Sequence, residues 1–198
     1  KKAVEATALE LHKKRTRVIP QLISKTENIL SGLGMPNARL KIELRQEESF
    51  FANGKDSLSW LLSANKGGNF NPLKKAASGG ELGRIMLAVK SIIAAYSKLP
   101  TIVFDEIDTG VSGDIAQKMA GILKDMGQTM QVIAITHLPQ IAGKGECHFR
   151  IFKEDAAGRT ITNIKKLEGE ARVEELAQML GGNNMEESAV AHAKALLN

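Results

Sequence analysis

The apolar positions divide the chain into stretches with different periods. Between residues 3 and 31, Val4, Ala8, Leu11, Val18, Leu22, Ile29 and Leu30 recur at roughly helical spacing. This thin stripe suits a helix leaning on a partner helix or on the end of a coiled coil, and does not suit a core helix. Pro20 lies inside it, and its missing N–H predicts a kink or restart near Val18 and Ile19. Gly32-Leu-Gly34-Met-Pro36-Asn37 then breaks the pattern, which predicts a helical arm over 1–31 and a lobe over 32–198. The period next changes to two. Leu40, Ile42 and Leu44 alternate with charged residues, and Leu58, Trp60, Leu62 and Ala64 alternate with mostly polar ones. With Asn53-Gly54-Lys55-Asp56 as the turn, this predicts an antiparallel hairpin, followed by a loop from Asn65 to Pro72.

A helical period returns at Leu82, Ile85, Met86, Val89, Ile92 and Ile93, predicting an amphipathic helix that ends near Ser97. Burying such side chains stabilises by roughly 1.5 to 3 kcal/mol each, so this helix must pack on a sheet. Thr101-Ile-Val-Phe104 and Gln131-Val-Ile-Ala-Ile-Thr136 read as buried strands on either side of a helix from about Ile115 to Met126. That order implies a right-handed parallel crossover. Strands over 148–153 and 159–166, joined by a turn at Asp155-Ala-Ala-Gly158, form a second hairpin, and helices over 170–180 and 185–197 close the chain. In the last helix Ala189, Val190, Ala193, Leu196 and Leu197 share one side. The expected class is α/β, a partly parallel sheet with flanking helices and antiparallel hairpins.

The two central strands end in chemistry. One runs into Asp105 and Glu106, the other into Thr136-His137. Ligands of open α/β sheets bind outside the carboxyl ends of the strands, so the acids and the imidazole are expected at one rim. Hard carboxylate oxygens suit Mg²⁺, and a second carboxylate can orient or deprotonate a water. Ordinary strand-end acids, solvated in a turn, are the alternative. Ahead of the amphipathic helix, Ser78-Gly79-Gly80-Glu81 offers backbone N–H groups and a hydroxyl to an anion such as phosphate. The same residues could instead be a capping box, Ser78 with Glu81, and hold no ligand.

Composition narrows the partners. With 43% hydrophobic and 25% charged residues the 198-residue chain reads as an ordinary globular protein. A net charge of +5 permits contact with nucleic-acid or nucleotide phosphates. Lys1, Lys2, Lys13, Lys14, Arg15 and Arg17 crowd the start, where they are either a contact for DNA phosphates or a solvated helix face. One Trp and one Tyr supply no set of stacking platforms for single strands. Cys147, the single cysteine, excludes an internal disulfide and a cysteine-based zinc cluster, so a cytoplasmic setting is expected. The chain has no apolar leader at its start and no run of about 18 apolar residues, so no membrane partner is expected.

Taken together, SGGE at 78 to 81, a strand ending in Asp105-Glu106 and a strand ending in Thr136-His137 resemble the ATP-binding cassette ATPases in order and spacing. The wording ASGGELGRIMLAVK, TIVFDEIDTGVSG, VIAITHLPQIA, ELAQMLGG and AHAKALL resembles the C-terminal part of the RecN family, bacterial double-strand-break repair proteins of the SMC-like group. The resemblance covers nearly the whole chain. It implies the C-terminal lobe of a P-loop, cassette-type ATPase head, with residues 1–31 as the end of a returning coiled-coil arm. It further implies that Ser78, Gly79, Gly80 and Glu81 contact the γ-phosphate of ATP bound to the opposite subunit of a homodimer. Asp105 would hold Mg²⁺, usually through water, Glu106 would polarise the attacking water and His137 would sense the γ-phosphate.

Two positions depart from the cassette pattern: Val111-Ser112 stand where many have Leu-Asp, and Ala77 replaces the leucine that often precedes SGG. No G-x-x-x-x-G-K-[ST] occurs, so the phosphate cradle is expected on an N-terminal lobe and the chain alone is expected to be inactive. The resemblance also implies DNA as a partner of the full-length protein and association with the nucleoid. A non-catalytic module that docks DNA or a protein, and the nucleotide-binding part of another cassette ATPase such as a transporter, remain as alternatives.

Overall fold

A helix and a hairpin found the first of two units into which the chain divides, Lys1–Ser97 and Lys98–Asn198. The computed structural model describes residues 2–94, 96–97, 99–156, 159–182 and 186–197. Helix α1 (Lys2–Gly32) runs through Pro20 without the expected restart. Pro20 and Thr16, whose carbonyl loses its backbone partner, are both exposed, so water can take the place of the missing N–H. Over the first two thirds of the helix the thin stripe buries only Ala8 among the described residues. In the last turns Leu30 is fully buried with Met35, Ala38, Leu40, Leu62, Ile85 and Ala88, and Ile23 and Ile29 pack against them. The left-handed turn at Gly34 (φ 76°) folds Leu33 and Met35 back into this core.

Strands β1 (Arg39–Phe51) and β2 (Gly54–Ser63) pair antiparallel with Leu40 opposite Leu62, Ile42 opposite Trp60 and Leu44 opposite Leu58. The turn itself is Ala52-Asn53, so Gly54, Lys55 and Asp56 belong to β2 and not to the turn. Within the expected loop, β3 (Asn71–Pro72) adds a short third strand opposite Leu61 and Leu62. After α2 (Leu73–Ala76), helix α3 (Gly79–Ala94) buries Ile85, Leu87, Ala88 and Ala94. Met86 and Ile93, expected on the core face, are exposed. Arg84 donates to the carbonyl of Leu33 at 3.0 Å and so ties α3 to the end of α1.

The second unit is built on a parallel pair, β4 (Thr101–Asp105) and β5 (Gln131–Ile135), joined by α4 (Gly113–Gly127). Helix α4 buries Ala116, Met119, Ala120, Leu123 and Met126. The strands are not buried on both faces as their composition suggests: Val103, Ile133 and Ile135 are 57%, 44% and 45% exposed. A short helix, α5 (Pro139–Lys144), follows β5. Then β6 (His148–Ala156) and β7 (Arg159–Leu167) form the second hairpin, with Ile151 opposite Ile164. Residues 157–158 of its expected turn lie outside the described residues, as does Met185, the expected start of the last helix. Helices α6 (Gly169–Gly181) and α7 (Glu187–Leu197) share a core of Val173, Leu176, Ala177 and Ala193. No described helix is long and apolar enough to cross a membrane.

Candidate active site

Parallel pairing places Asp105 opposite Ile135, two residues before His137. Asp105, Glu106 and His137 therefore leave the sheet at the same carboxyl edge. Asp105 is exposed and makes no side-chain hydrogen bond within the described residues. Glu106 is the one described non-glycine residue with a left-handed backbone, φ 48°. Such a conformation costs a side-chain-bearing residue roughly 1 to 2 kcal/mol and needs its neighbours to enforce it. Three bonds do so: the Glu106 amide donates to the Ile135 carbonyl at 3.1 Å, and the Thr109 amide and hydroxyl donate to the Glu106 carbonyl at 3.3 and 2.9 Å. They turn the exposed Glu106 out of the strand line.

The histidine loop is braced from behind. The His137 side chain is 65% exposed, and α5 begins two residues later with Pro139 at its start. At the far end of α5, Arg172 of α6 donates to the carbonyls of Gly143 at 3.2 Å and of Ala142 and Glu146 at 3.4 Å, and also to Gly145. A guanidinium there answers orphan carbonyls and the negative end of the helix. Gly143 meets Leu196 of α7 so closely that an added Cβ would lie 3.1 Å from the Leu196 Cβ.

Two further residues belong to this rim and were not singled out as a pair from sequence. Asp108, fully buried, accepts the Thr136 hydroxyl and, at 3.2 Å, the His137 amide, all on Oδ2. The same oxygen lies 3.4 Å from Nδ1 of His137. Its Oδ1 is buried with no partner among the described residues. An acid three positions after Asp105, flanked by Ile107 and Thr109, looks in sequence like any turn residue; only the fold distinguishes it.

Ser78 to Glu81 belong to the other unit and form a separate feature. The capping box is closed: the Ser78 amide and hydroxyl donate to Glu81 Oε2 at 2.8 and 2.9 Å, and the Glu81 amide lies 3.4 Å from the hydroxyl. Gly79 has no positive φ, and a Cβ added there would meet nothing within 4 Å. Glycine costs a helix about 1 kcal/mol relative to alanine, and here neither conformation nor packing within the chain requires it.

The donor set bears on a metal. Among the described residues no group of three or more His, Cys, Asp or Glu could hold an ion. A protein-only cage for Zn²⁺ or Ca²⁺ is thus not built, whereas Mg²⁺ takes one or two carboxylates and completes its shell with water and phosphate oxygens. One free carboxylate at a strand end fits that mode.

No family model matches the chain. The DNA repair protein RecN of Vibrio cholerae is 40% identical over 97% of the chain, which spans 35% of that relative. RecN proteins of other bacteria, Deinococcus radiodurans and Haemophilus influenzae among them, are 39% and 36% identical over 92% and 98% of it. Two solved structures share the fold: the Smc head domain with a coiled coil and joint from Pyrococcus yayanosii, and a chain from work on ATP-driven dimerization and DNA-stimulated activation of SMC ATPases. The first has a TM-score of 0.64 at 20% identity, over 85% of this chain and 31% of that one. The second has 0.56 at 19%, over 87% of this chain and 99% of that one. With the α/β fold of an SMC head lobe and sequence similarity along almost its full length, the chain belongs to the RecN family, whose C-terminal third it represents.

Proposed function

We propose that this chain is the C-terminal head lobe of a DNA repair ATPase, and that it supplies one half of a composite site for ATP held between two heads. The observation that carries this reading is the β4–β5 register, which brings Asp105, Glu106 and His137 to one edge with Glu106 enforced in a left-handed turn. The names of its relatives, DNA repair proteins, and of its structural neighbours, SMC ATPases, point the same way. Asp105 would hold Mg²⁺, which when bound would neutralise charge on the phosphate oxygens. Glu106 accepts a proton from the water that attacks the γ-phosphorus; the bond from that phosphorus to the bridging oxygen breaks and ADP leaves with the electron pair. His137 contacts the γ-phosphate from the adjoining strand end. Ser78 to Glu81 act on the ATP of the opposite head, which accounts for Gly79, a glycine that the chain's own packing does not require.

The phosphate cradle comes from a lobe outside these residues. The uncovered sheet face at Val103, Ile133 and Ile135 supports this, because parallel strands are stable when both faces are covered. Helix α1 is the end of the coiled-coil arm, residues 32–198 the lobe itself, DNA the partner of the full-length protein, and the nucleoid its place in the cytoplasm. The test is reconstitution. This chain alone is expected to show no ATP turnover, and mixing it with the N-terminal lobe should restore turnover that falls on the order of 10² to 10⁴ with Glu106→Gln. Turnover by the chain alone, or recovery indifferent to Glu106→Gln, would overturn the reading.

A further inference from the structure

We propose that Asp108 is a positioning residue that fixes which ring nitrogen of His137 meets the nucleotide. The inference rests on the reading of His137 given above and adds a part to it.

Asp108 is fully buried, and among the described residues its two hydrogen bonds come from the β5–α5 connection, the Thr136 hydroxyl and the His137 amide, with Nδ1 of the His137 ring 3.4 Å from the same oxygen. A buried carboxylate needs such donors, since without them its desolvation is uncompensated. The Thr136 oxygen in turn accepts the Leu138 amide at 3.0 Å. The backbone on both sides of His137 is thus bound into one network whose anchor is the acid loop. Asp108 and Glu106 belong to the same turn, in which the Val111 amide donates to the Asp108 carbonyl at 3.0 Å. Any shift of the Glu106 turn therefore pulls on the histidine.

The chemistry of the ring follows from what faces it. An ionised carboxylate only accepts, so the nitrogen beside it is the one that carries a proton. Nδ1 faces Asp108 Oδ2 at 3.4 Å, and Nε2 is the nitrogen left for a ligand, on a side chain that is mostly exposed. A carboxylate behind a histidine sets tautomer and aim in the same way in catalytic triads. Asparagine at 108 would keep the volume while allowing an amide N–H to face Nδ1, which favours the other tautomer.

The experiment is a double-mutant cycle on the ATP turnover of the intact protein, with thermal unfolding of every variant. Asp108→Asn is expected to lower kcat by about 10- to 100-fold, as for carboxylates that orient a histidine from behind, with KM for ATP changed less than kcat. In a His137→Ala background the same substitution should cost nothing further, because the group it positions is gone. Equal losses in both backgrounds would mean that Asp108 acts only on the fold, and would overturn the proposal. Unchanged turnover in His137→Ala alone would instead remove the role of the histidine, and the Asp108 proposal with it, while leaving the Glu106 test intact. A second measurement needs no substitution at Asp108: ¹⁵N signals of the His137 ring in the wild-type protein. They should report Nδ1–H, and a ring protonated only at Nε2 would contradict the assignment even if Asp108→Asn fails to fold.

Discussion

Two buried aspartates, one in each unit, are solved in opposite ways. Asp56 in β2 has a basic side chain on each oxygen: the His12 ring nitrogen lies 2.6 Å from Oδ1 and Arg15 donates to Oδ2 at 2.7 Å. Arg15 also donates to the carbonyl of Asn53 at 2.7 Å, so the hairpin turn is pinned to the arm helix α1. Asp108 accepts two hydrogen bonds on one oxygen and, among the described residues, none on the other, and neither donor is a cation. The first arrangement is complete within the chain and has the form of a structural joint. The second leaves an acceptor unused beside the Glu106 turn, the kind of incompleteness that buried polar groups show where a site is built. Arg15, which sequence grouped with a basic cluster that is either a DNA contact or a solvated helix face, is therefore employed in the fold, whereas Lys13 and Arg17 remain exposed.

The contrast can be broken by separating stability from turnover. Removing Asp56 has the largest expected effect on folding: Asp56→Ala leaves Arg15 and His12 facing a vacancy and should cost about 3 kcal/mol by chemical unfolding. Turnover per folded molecule should not change. The pH dependence has a definite sign. Burial pushes the Asp56 carboxyl up, but the bonds and charges of Arg15 and His12 together outweigh it and hold the group below its ordinary 3.8. Its contribution is therefore present above that value and lost as pH falls through the lower folded value, and Asp56→Ala should flatten the stability curve in that acidic window.

Glu106 should give the opposite pattern. Glu106→Gly relieves the left-handed backbone and is expected to raise stability by about 1 kcal/mol, while turnover of the reconstituted protein is lost. A destabilised variant would show that the strain is not held at this turn. The smallest effect concerns His148, at the start of β6. Burial, with a smaller contribution from Arg172 and against the opposing pull of Glu175, holds its ring below the usual 6.5. Protonation then favours the unfolded chain, so stability should be full above about 6.5 and decline as pH drops through the folded value. His148→Gln should remove that decline, leaving turnover unaffected.

Most of the elements were legible because period and punctuation are local. The alternation at Leu40–Leu44 and Leu58–Ala64, the stripe after Ser78, and the two apolar runs that end in Asp105 and His137 all matched elements of the expected kind. The misreadings were of a different sort. Leu87 is buried where Met86 was expected, the turn is Ala52-Asn53, and Pro20 interrupts nothing, because each depends on what packs across from it. Arg15 could read as a solvated charge for the same reason: a guanidinium is read as solvated until a carbonyl or a carboxylate is brought to it by distant chain, as also happens at Arg84.

By itself, the sequence determined the order of strand and helix, the acids and imidazole that close the two central strands, and through its wording the family. Those properties are written in residue type and spacing, which no packing alters. The tertiary structure alone decided that Glu106 is held left-handed, that Asp108 and not a surface acid stands behind His137, and that one face of the β4–β5 pair is uncovered. Each of these joins residues far apart along the chain, Asp108 and His137 by 29 positions, and arises only when parallel pairing brings both strand ends to the same edge.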